Sequence, residues 1–358
     1  MRLEERPARR DLRLEAKSIA ANPIPRTSGL HQEMIVMKTI QKIPISHIDL
    51  TDETFSVNFM ADLHRLQSSM EEIGLIQPVI LRKKQDGYQV VCGFRRISII
   101  KEIGGSDILS MVLDEEEKDD LRLFLISLHE NLTTRGFNTI EKAIALDKLV
   151  HQFHIDSVTV IKKYLPLFNL EPDEKILNTY LSLIQMEDKT KIYVLTEEVS
   201  RANIRRISSL SSKDRMALLS LIMPLKLGEN RLREILTFLE EIALRDRLKI
   251  TEILKRPEIQ AVLSHQNLTS PQRADRVKKA LLGIRYPRMH NMEEKFEKKR
   301  KELNLPSNVS VNHQPFFEGK ALKVEFQFET SKDYQSIISS LSGLSEKKEF
   351  QEMIKSVG

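Results

Sequence analysis

At Asn138 the pattern of this chain changes, and that change governs what the chain can fold into. Before it, strand and helix signals alternate. From Thr139 to about Gly283 the strands vanish and nearly every segment has apolar residues at helical spacing. The segments are IEKAIALDKLVHQF, VTVIKKYLPLF, EKILNTYLSLIQM, ANIRRISSLSSKDRMALLSLIM, NRLREILTFLEEIALRD and RVKKALLGI. Short polar or proline-bearing turns divide them, as in packed antiparallel helices. A chain of 358 residues with two such different stretches must hold more than one core.

Ahead of the change, IQKIPISHIDL reads as an edge strand carrying Pro44. FMADLHRLQSSMEEIG reads as a helix closed by Gly74. LIQPVILRKK and YQVVCG pair across the Asp86-Gly87 turn, and FRRISIIKEIGG is a short helix. SDILSMVLD is another strand, followed by a long helix from about Glu116 that carries LISLHENLTTR. Beyond the helical stretch, NMEEKFEKKRKEL is a basic amphipathic helix, VSVNHQ and ALKVEFQFE alternate as strands, and DYQSIISSLSGL is a final helix. That last unit is a small core for a domain standing alone, and pairing with a second copy would complete it. The expected divisions are 1–36, a disordered or mis-assigned extension; 37–138, mixed α/β; 139–283, helical; and 284–358, a small α+β module.

Composition narrows the function classes. A single cysteine, Cys92, rules out an intramolecular disulfide and points to a reducing cytoplasm. No apolar run is long enough to span a bilayer. The formal charge of +5 permits a nucleic-acid partner without demanding one.

Two clusters could carry chemistry. In VVCGFRRISIIKEIG a glycine ends a strand and two arginines open a helix. Gly93 would let the backbone approach a ligand, the helix N-terminus offers free N–H groups, and Arg95 and Arg96 offer forked donors to phosphate. The plainer alternative is a surface turn whose arginines pair with Glu102 or Asp107. In HENLTTRGFNTIEKA, Glu130 is a carboxylate of the kind that holds magnesium beside phosphate, or else an ordinary polar helix end. The turn NLEP, between VTVIKKYLPLF and the helix from Asp173 to Met186, is compatible with a helix-turn-helix. Lys175, Asn178, Thr179 and Ser182 could then reach base edges, with Lys162, Lys163, Arg201, Arg205 and Arg206 on phosphates. The basic run from Arg273 to Lys301 suits non-specific DNA contact or a solvated linker helix.

In order, LxxSMEEIGLIQPVILR, GYQVVCGFRRISIIKEIG and ENLTTRGFNTIEKA resemble the N-terminal domain of the ParB family of partition proteins, with its IGxxQPxxVR, GERRxRA and ENxQRxxLNPxEEA segments. Gln77, Pro78 and Arg82 match the first; Gly93, Arg95 and Arg96 the second; Glu130, Asn131, Asn138, Ile140, Glu141 and Ala143 the third. The resemblance implies a multidomain α+β protein: a ParB/sulfiredoxin-like α/β domain, an all-α helix-turn-helix middle domain and a small α+β dimerisation domain. It implies a homodimer on double-stranded DNA, nucleoid-associated in the cytoplasm, acting as a CTP- and magnesium-dependent clamp in chromosome or plasmid partitioning. A ParA-type ATPase would be its partner, and any catalysis would be slow CTP hydrolysis. Gln77, Arg82, Gly93, Arg95, Arg96 and Asn131 would then serve the nucleotide and Glu130 the metal.

The chain also departs from the family pattern. Phe94 stands where a glutamate is usual, Ser98 replaces a small residue, Thr133 and Thr134 occupy the Gln-Arg positions, and Arg135 comes one place late. The N-terminal peptide that many members use on the ATPase is not recognisable, although ARRDLRLEAKSIA is basic. Two other readings use the same scaffold. One is a transcriptional regulator or plasmid maintenance factor without a working nucleotide switch. The other is a sulfiredoxin-like, ATP-dependent redox enzyme built on Cys92, whose cysteine here precedes the glycine and has no neighbouring histidine.

Overall fold

The computed structural model describes residues 40–357 except 114–118, 266, 318 and 320. The expected extension over 1–36, with ARRDLRLEAKSIA, lies outside the described residues. Five strands form one mixed sheet: β1 (Ile40–Pro44), β2 (Ile48–Asp49), β3 (Val79–Lys84), β4 (Gly87–Cys92) and β5 (Asp107–Leu113), in the order β1-β5-β3-β4-β2. β1 lies antiparallel to β5 at the edge, where Pro44 removes no ladder bond that the sheet needs. β3 runs parallel to β5 and antiparallel to β4. Helices α1 (His64–Ile73), α2 (Phe94–Glu102) and α3 (Asp120–Thr134) accompany the sheet.

Both faces of the sheet are buried, so Val90, Val91 and Cys92 of β4 are apolar and buried in succession rather than alternating. Val90 faces Ile43, Leu81, Ile108 and Ile97 of α2. Val91 faces the other way, onto Leu123, Phe124 and Leu128 of α3. This second core does not stop at Asn138: it runs on without a break into the helices that follow. The change of sequence period is therefore not a gap between cores.

Those helices are α4 (Thr139–Asp147), α5 (Ser157–Thr159, continued as a π-turn over Val160–Tyr164), α6 (Glu174–Ile184), α7 (Asp188–Thr196), α8 (Arg201–Ser208) and α9 (Ser212–Ile222). Next come α10 (Glu229–Asp246), α11 (Ile250–Leu254), α12 (Pro257–Leu263) and α13 (Ser270–Arg285). The stretch read as one segment from Ala202 to Met223 is two helices. The Ser211 side chain accepts the Asp214 N–H at 3.2 Å and starts α9 afresh.

The last unit holds α14 (Pro287–Glu302), the hairpin β6 (Val309–His313) and β7 (Leu322–Phe326), α15 (Ser331–Ser342) and α16 (Lys348–Val357). The sequence reading lacked α16, a helix rich in charge. It packs on α14 through Lys299–Glu352 at 3.2 Å and places Met353 in a core with Phe296, Leu303, Val311 and Leu344.

Candidate functional site

Gly93 is where the cleft begins. It takes φ 105, a left-handed conformation that favours glycine, and a Cβ there would lie 2.5 Å from Val79 Cγ1. Packing of the turn against β3 thus requires a residue without a side chain. The turn releases α2 with no side-chain cap and no acid in its first turn, so no side chain of the turn satisfies the first N–H groups. Arg95 and Arg96 are the second and third residues of that helix.

Around this point lies a cleft of about 270 Å³ lined by Gln77, Gly93, Arg95, Arg96, Glu130 and Asn131. These six were singled out from separate parts of the sequence, and the fold brings them to one place. Arg82 is not in the lining. From β3 it bonds Gln89 and, at 2.7 Å, Asp120, with its guanidinium carbon 5.5 Å from the Phe55 ring centre. It lies on the α3 side of the sheet, but three residues beyond Val79, on which Gly93 packs, and it reaches the start of α3 rather than the end that carries Glu130 and Asn131.

The lining also includes residues the sequence reading did not select: Asn58, Asp62, Arg65 and Arg135. By the motif, Arg135 sits one place late. α3 ends at Thr134, and Arg135, at φ −141, leaves the helix axis before Gly136 takes φ 70. Its side chain returns to bond Asn131 Oδ1 at 2.8 Å and Glu141 Oε2 at 2.7 Å. The signal that could have found it was Arg-Gly directly after the helix, a helix end that redirects the next side chain.

Two carboxylates hold the arginines. Glu141, 1% exposed, receives Arg95 at 2.5 Å and Arg135 at 2.7 Å, and also completes a capping box with Asn138 at the start of α4. Arg95 is fixed further by Asn58 Oδ1 at 2.9 Å. Burial, and then the neighbouring Arg135, pull the Arg95 pKa down against the upward pull of Glu141. Glu130 receives Arg96 at 2.6 Å on one oxygen and the Cys92 thiol at 2.9 Å on the other. Arg96 also donates to the carbonyls of Gln77 and Pro78 at 2.9 and 3.0 Å. Cys92 is buried, and burial followed by the Glu130 charge pushes its pKa up to about 12, so the thiol stays protonated. That is the opposite of what a redox nucleophile needs.

In the helical part, Asp173 caps α6 by accepting the Lys175 N–H at 2.6 Å. Lys162, Lys163, Lys175, Asn178 and Arg205 are exposed. Thr179 is turned inward, 4% exposed, with its hydroxyl donating to the Lys175 carbonyl at 2.7 Å, which removes it from any base-reading face. Ser182 is half-buried and donates to the Thr179 carbonyl at 2.8 Å. Arg201 pairs with Glu171 at 2.5 Å and Arg206 with Glu240 at 2.8 Å, so each of these two already has an acidic neighbour. No helix among the described residues is long and apolar enough to cross a membrane.

Residues 29–132 match the family model of the ParB N-terminal domain. Over 166 residues the chain is 28% identical to a probable chromosome-partitioning protein ParB of Campylobacter jejuni, covering 46% of this chain and 56% of that one. Over 174 residues it is 21% identical to a nucleoid occlusion protein of Halalkalibacterium halodurans, covering 48% and 58%. The matched stretch thus spans little more than half of these curated relatives. Among solved structures, the C-terminally truncated ParB of Caulobacter crescentus complexed with CTP-gamma-S aligns with 52% of this chain and 99% of that one, at 23% identity and a TM-score of 0.23.

Proposed function

The chain belongs to the ParB family, and from that premise we propose that it is a dimeric, sequence-specific DNA-binding protein whose cleft takes CTP with magnesium. On this reading the nucleotide controls how the protein grips DNA, in chromosome or plasmid partitioning or in nucleoid occlusion. One observation carries the reading: Gln77, Gly93, Arg95, Arg96, Glu130 and Asn131, scattered over more than fifty positions of sequence, line a single cleft. With Arg65 and Arg135 the lining holds four arginines against Asp62 and Glu130, and the buried Glu141 lies behind. Such a cleft favours an anion with several charges.

The donor set fits magnesium only in part. Among the described residues no group of three or more His, Cys, Asp or Glu could hold a metal. Glu130 would supply one carboxylate and the phosphates the rest, which is how magnesium commonly sits beside a nucleotide. The metal would supply charge neutralisation between carboxylate and phosphate. The chain's own residues do the remainder: Arg95 and Arg96 position phosphate oxygens, Asn131 orients Arg135, and the α2 N-terminus adds backbone donors.

The exposed side of α6 and the lysines of the preceding helix would meet DNA, with Asn178 the natural base reader. A second copy would cover the last unit. There Val324, Phe328, Tyr334 and Ile338 are 40%, 54%, 43% and 38% exposed, and the Phe328 and Tyr334 rings lie 5.1 Å apart. A regulator without a nucleotide switch is the second reading. It draws on Phe94 and on arginines that already have carboxylate partners.

The deciding measurement is binding of labelled CTP, ATP, GTP and UTP, with magnesium, to the wild type, to Arg95→Ala/Arg96→Ala and to Arg65→Ala, whose exposed side chain does not bear on folding. Selective CTP binding that both variants weaken is the expected result. Preference for ATP would return attention to Cys92. Absence of any nucleotide binding would leave a plain DNA-binding protein on this scaffold.

A further inference from the structure

The stretch between β2 and α1, residues 50–63, belongs to no strand or helix, yet Phe55, Ser56, Val57 and Asn58 from it line the cleft. Without a ladder of its own, this strap takes its shape from the groups that grip it. Asn58 Oδ1 accepts the Arg95 Nε–H at 2.9 Å, and Phe55 and Val57 are buried in the core that α3 shares with the later helices. The other anchors come from the helical part. α4 runs on into a π-turn over Lys148–Gln152, a rare helix form that gathers at functional sites. Lys148 Nζ donates to the Glu53 carbonyl and, at 3.0 Å, to the Thr54 carbonyl. Gln152 donates to the same Thr54 carbonyl at 3.3 Å, and Asn138 to the Phe59 carbonyl at 3.1 Å. Lys148 is half-buried, and burial pulls its pKa down against the charges of Glu53, Asp52 and Asp147. An ammonium drawn partly out of water is costly to place, and the strap is what this one holds.

We infer that Lys148 is a positioning residue for the cleft: from the helical part it holds the strap so that Asn58 fixes Arg95 toward an anionic ligand. The inference rests on the nucleotide reading above. The path is continuous. Lys148 sets the Glu53 and Thr54 carbonyls, the strap carries that placement to Asn58, and Asn58 holds the Arg95 Nε while Glu141 holds its terminal nitrogen. Without Lys148, two carbonyls lose a charged donor and the strap gains freedom. Arg95 is then fixed at one edge only and no longer presents a set fork to phosphate. The α/β unit over 37–138 thus does not complete its cleft alone, since part of the support lies beyond the change of period.

The test is the affinity of the full chain for labelled CTP with magnesium, read beside the melting temperature of each variant. Lys148→Met keeps most of the side chain's length and removes its charge and donors. It should weaken CTP binding about fivefold to tenfold, the scale of one charged hydrogen bond. Lys148→Arg returns a charged donor and should recover affinity to within about twofold of wild type. Lys142 supplies the control, a second half-buried lysine on α4 that donates to the Phe168 carbonyl at 2.8 Å, inside the helical part. Lys142→Met should lower the melting temperature about as much as Lys148→Met and leave CTP affinity within about twofold of wild type. If Lys148→Met does not melt cooperatively, amide hydrogen exchange of the wild type decides. CTP should slow exchange about threefold or more at the Phe153 N–H, which closes the π-turn on the Lys148 carbonyl at 2.8 Å, and leave the Phe168 N–H unchanged.

Wild-type affinity in Lys148→Met would overturn the inference. An equal loss in Lys142→Met would overturn it too, because both effects would then be general loosening. So would a Lys148→Arg variant as weak as Lys148→Met, or equal protection of Phe153 and Phe168, or none at Phe153. Each of these results leaves the nucleotide reading standing, whereas a wild type that binds no CTP removes both.

Discussion

Two sets of basic side chains define this molecule, and they are built in opposite ways. Three of the four cleft arginines are half-buried and answered by carboxylates: Arg95 and Arg135 by Glu141 on α4, Arg96 by Glu130 on α3. The basic residues around α6 are mostly turned to solvent, with Lys162, Lys163, Lys175 and Arg205 exposed. An enclosed charge must be paired wherever it is, so the cleft's pairs belong to the stability of the fold as well as to any ligand. A solvated lysine adds little to folding and keeps its charge for a partner. Charge in the cleft is therefore costly to change, and charge on the helical face is cheap to change.

The sharpest way to break that contrast is to remove Glu141. Glu141→Ala would leave two arginines facing each other without their carboxylate and would uncap α4. The expected loss is about 3–5 kcal/mol, the cost of breaking a buried pair from one side. Urea melts of the variant and the wild type would measure it. A loss under about 1 kcal/mol would mean that the cleft pairs behave as surface pairs do, and the contrast would fall.

The helical face predicts the reverse. Lys162→Ala, Lys163→Ala and Lys175→Ala should each leave the melting temperature nearly unchanged while weakening DNA binding. If each lysine neutralises one phosphate, the slope of log affinity against log salt should become shallower by about 0.9 per substitution. Fluorescence anisotropy over a salt series reads both the affinity and the slope. An unchanged slope in all three would place the DNA elsewhere on the chain.

How much of this contrast was legible in the sequence follows from the same physics. Gly93, Arg95 and Arg96 could be read together because strand-glycine-helix order alone places them at one turn, and Glu130 and Asn131 because a helix carries them as a pair. Arg82 lies on the face of β3 turned to α3, and only its distance along the strand from Val79 keeps it out of the cleft, which alternation does not reveal. Arg135 was passed over because its place depends on a helix ending one residue earlier. Thr179 reads as exposed because α6 packs on two sides, against α4 and α8, and a threonine between an asparagine and a tyrosine carries no sign of that. Domain periodicity was plain, yet the core that joins α3 to α4 and beyond was not, since continuity between elements leaves no mark on either. α16 carries its own signal, Phe350, Met353, Ile354 and Val357 at helical spacing, which the sequence reading leaves out although Met353 completes a core.

One enclosed pair lies in the helical part and tests whether pairing alone, without a cleft, has the same consequence. Glu187, ahead of α7, receives Arg215 at 2.7 Å, and its other oxygen takes the Ser212 hydroxyl at 2.5 Å. Arg215 first, with Ser212 and Thr190 assisting, holds the Glu187 carboxyl well below its usual value of 4.5. A carboxylate whose folded pKa is depressed binds fewer protons in the folded state than in the unfolded one. Its contribution is therefore present in full above the unfolded pKa and fades as pH falls below about 4.5 toward the folded value. Because the carboxylate is 28% exposed, solvent screens the pair, and Glu187→Gln should cost only about 1 kcal/mol at pH 7. Thermal melts of the two proteins from pH 7 down to pH 3 should show a gap that narrows steadily below about pH 4.5. A gap that holds constant with pH would mean that Glu187 acts through packing and its hydrogen bonds rather than through its charge. In that case the difference between the cleft and the helical face would lie in burial alone, with ion pairing following from it.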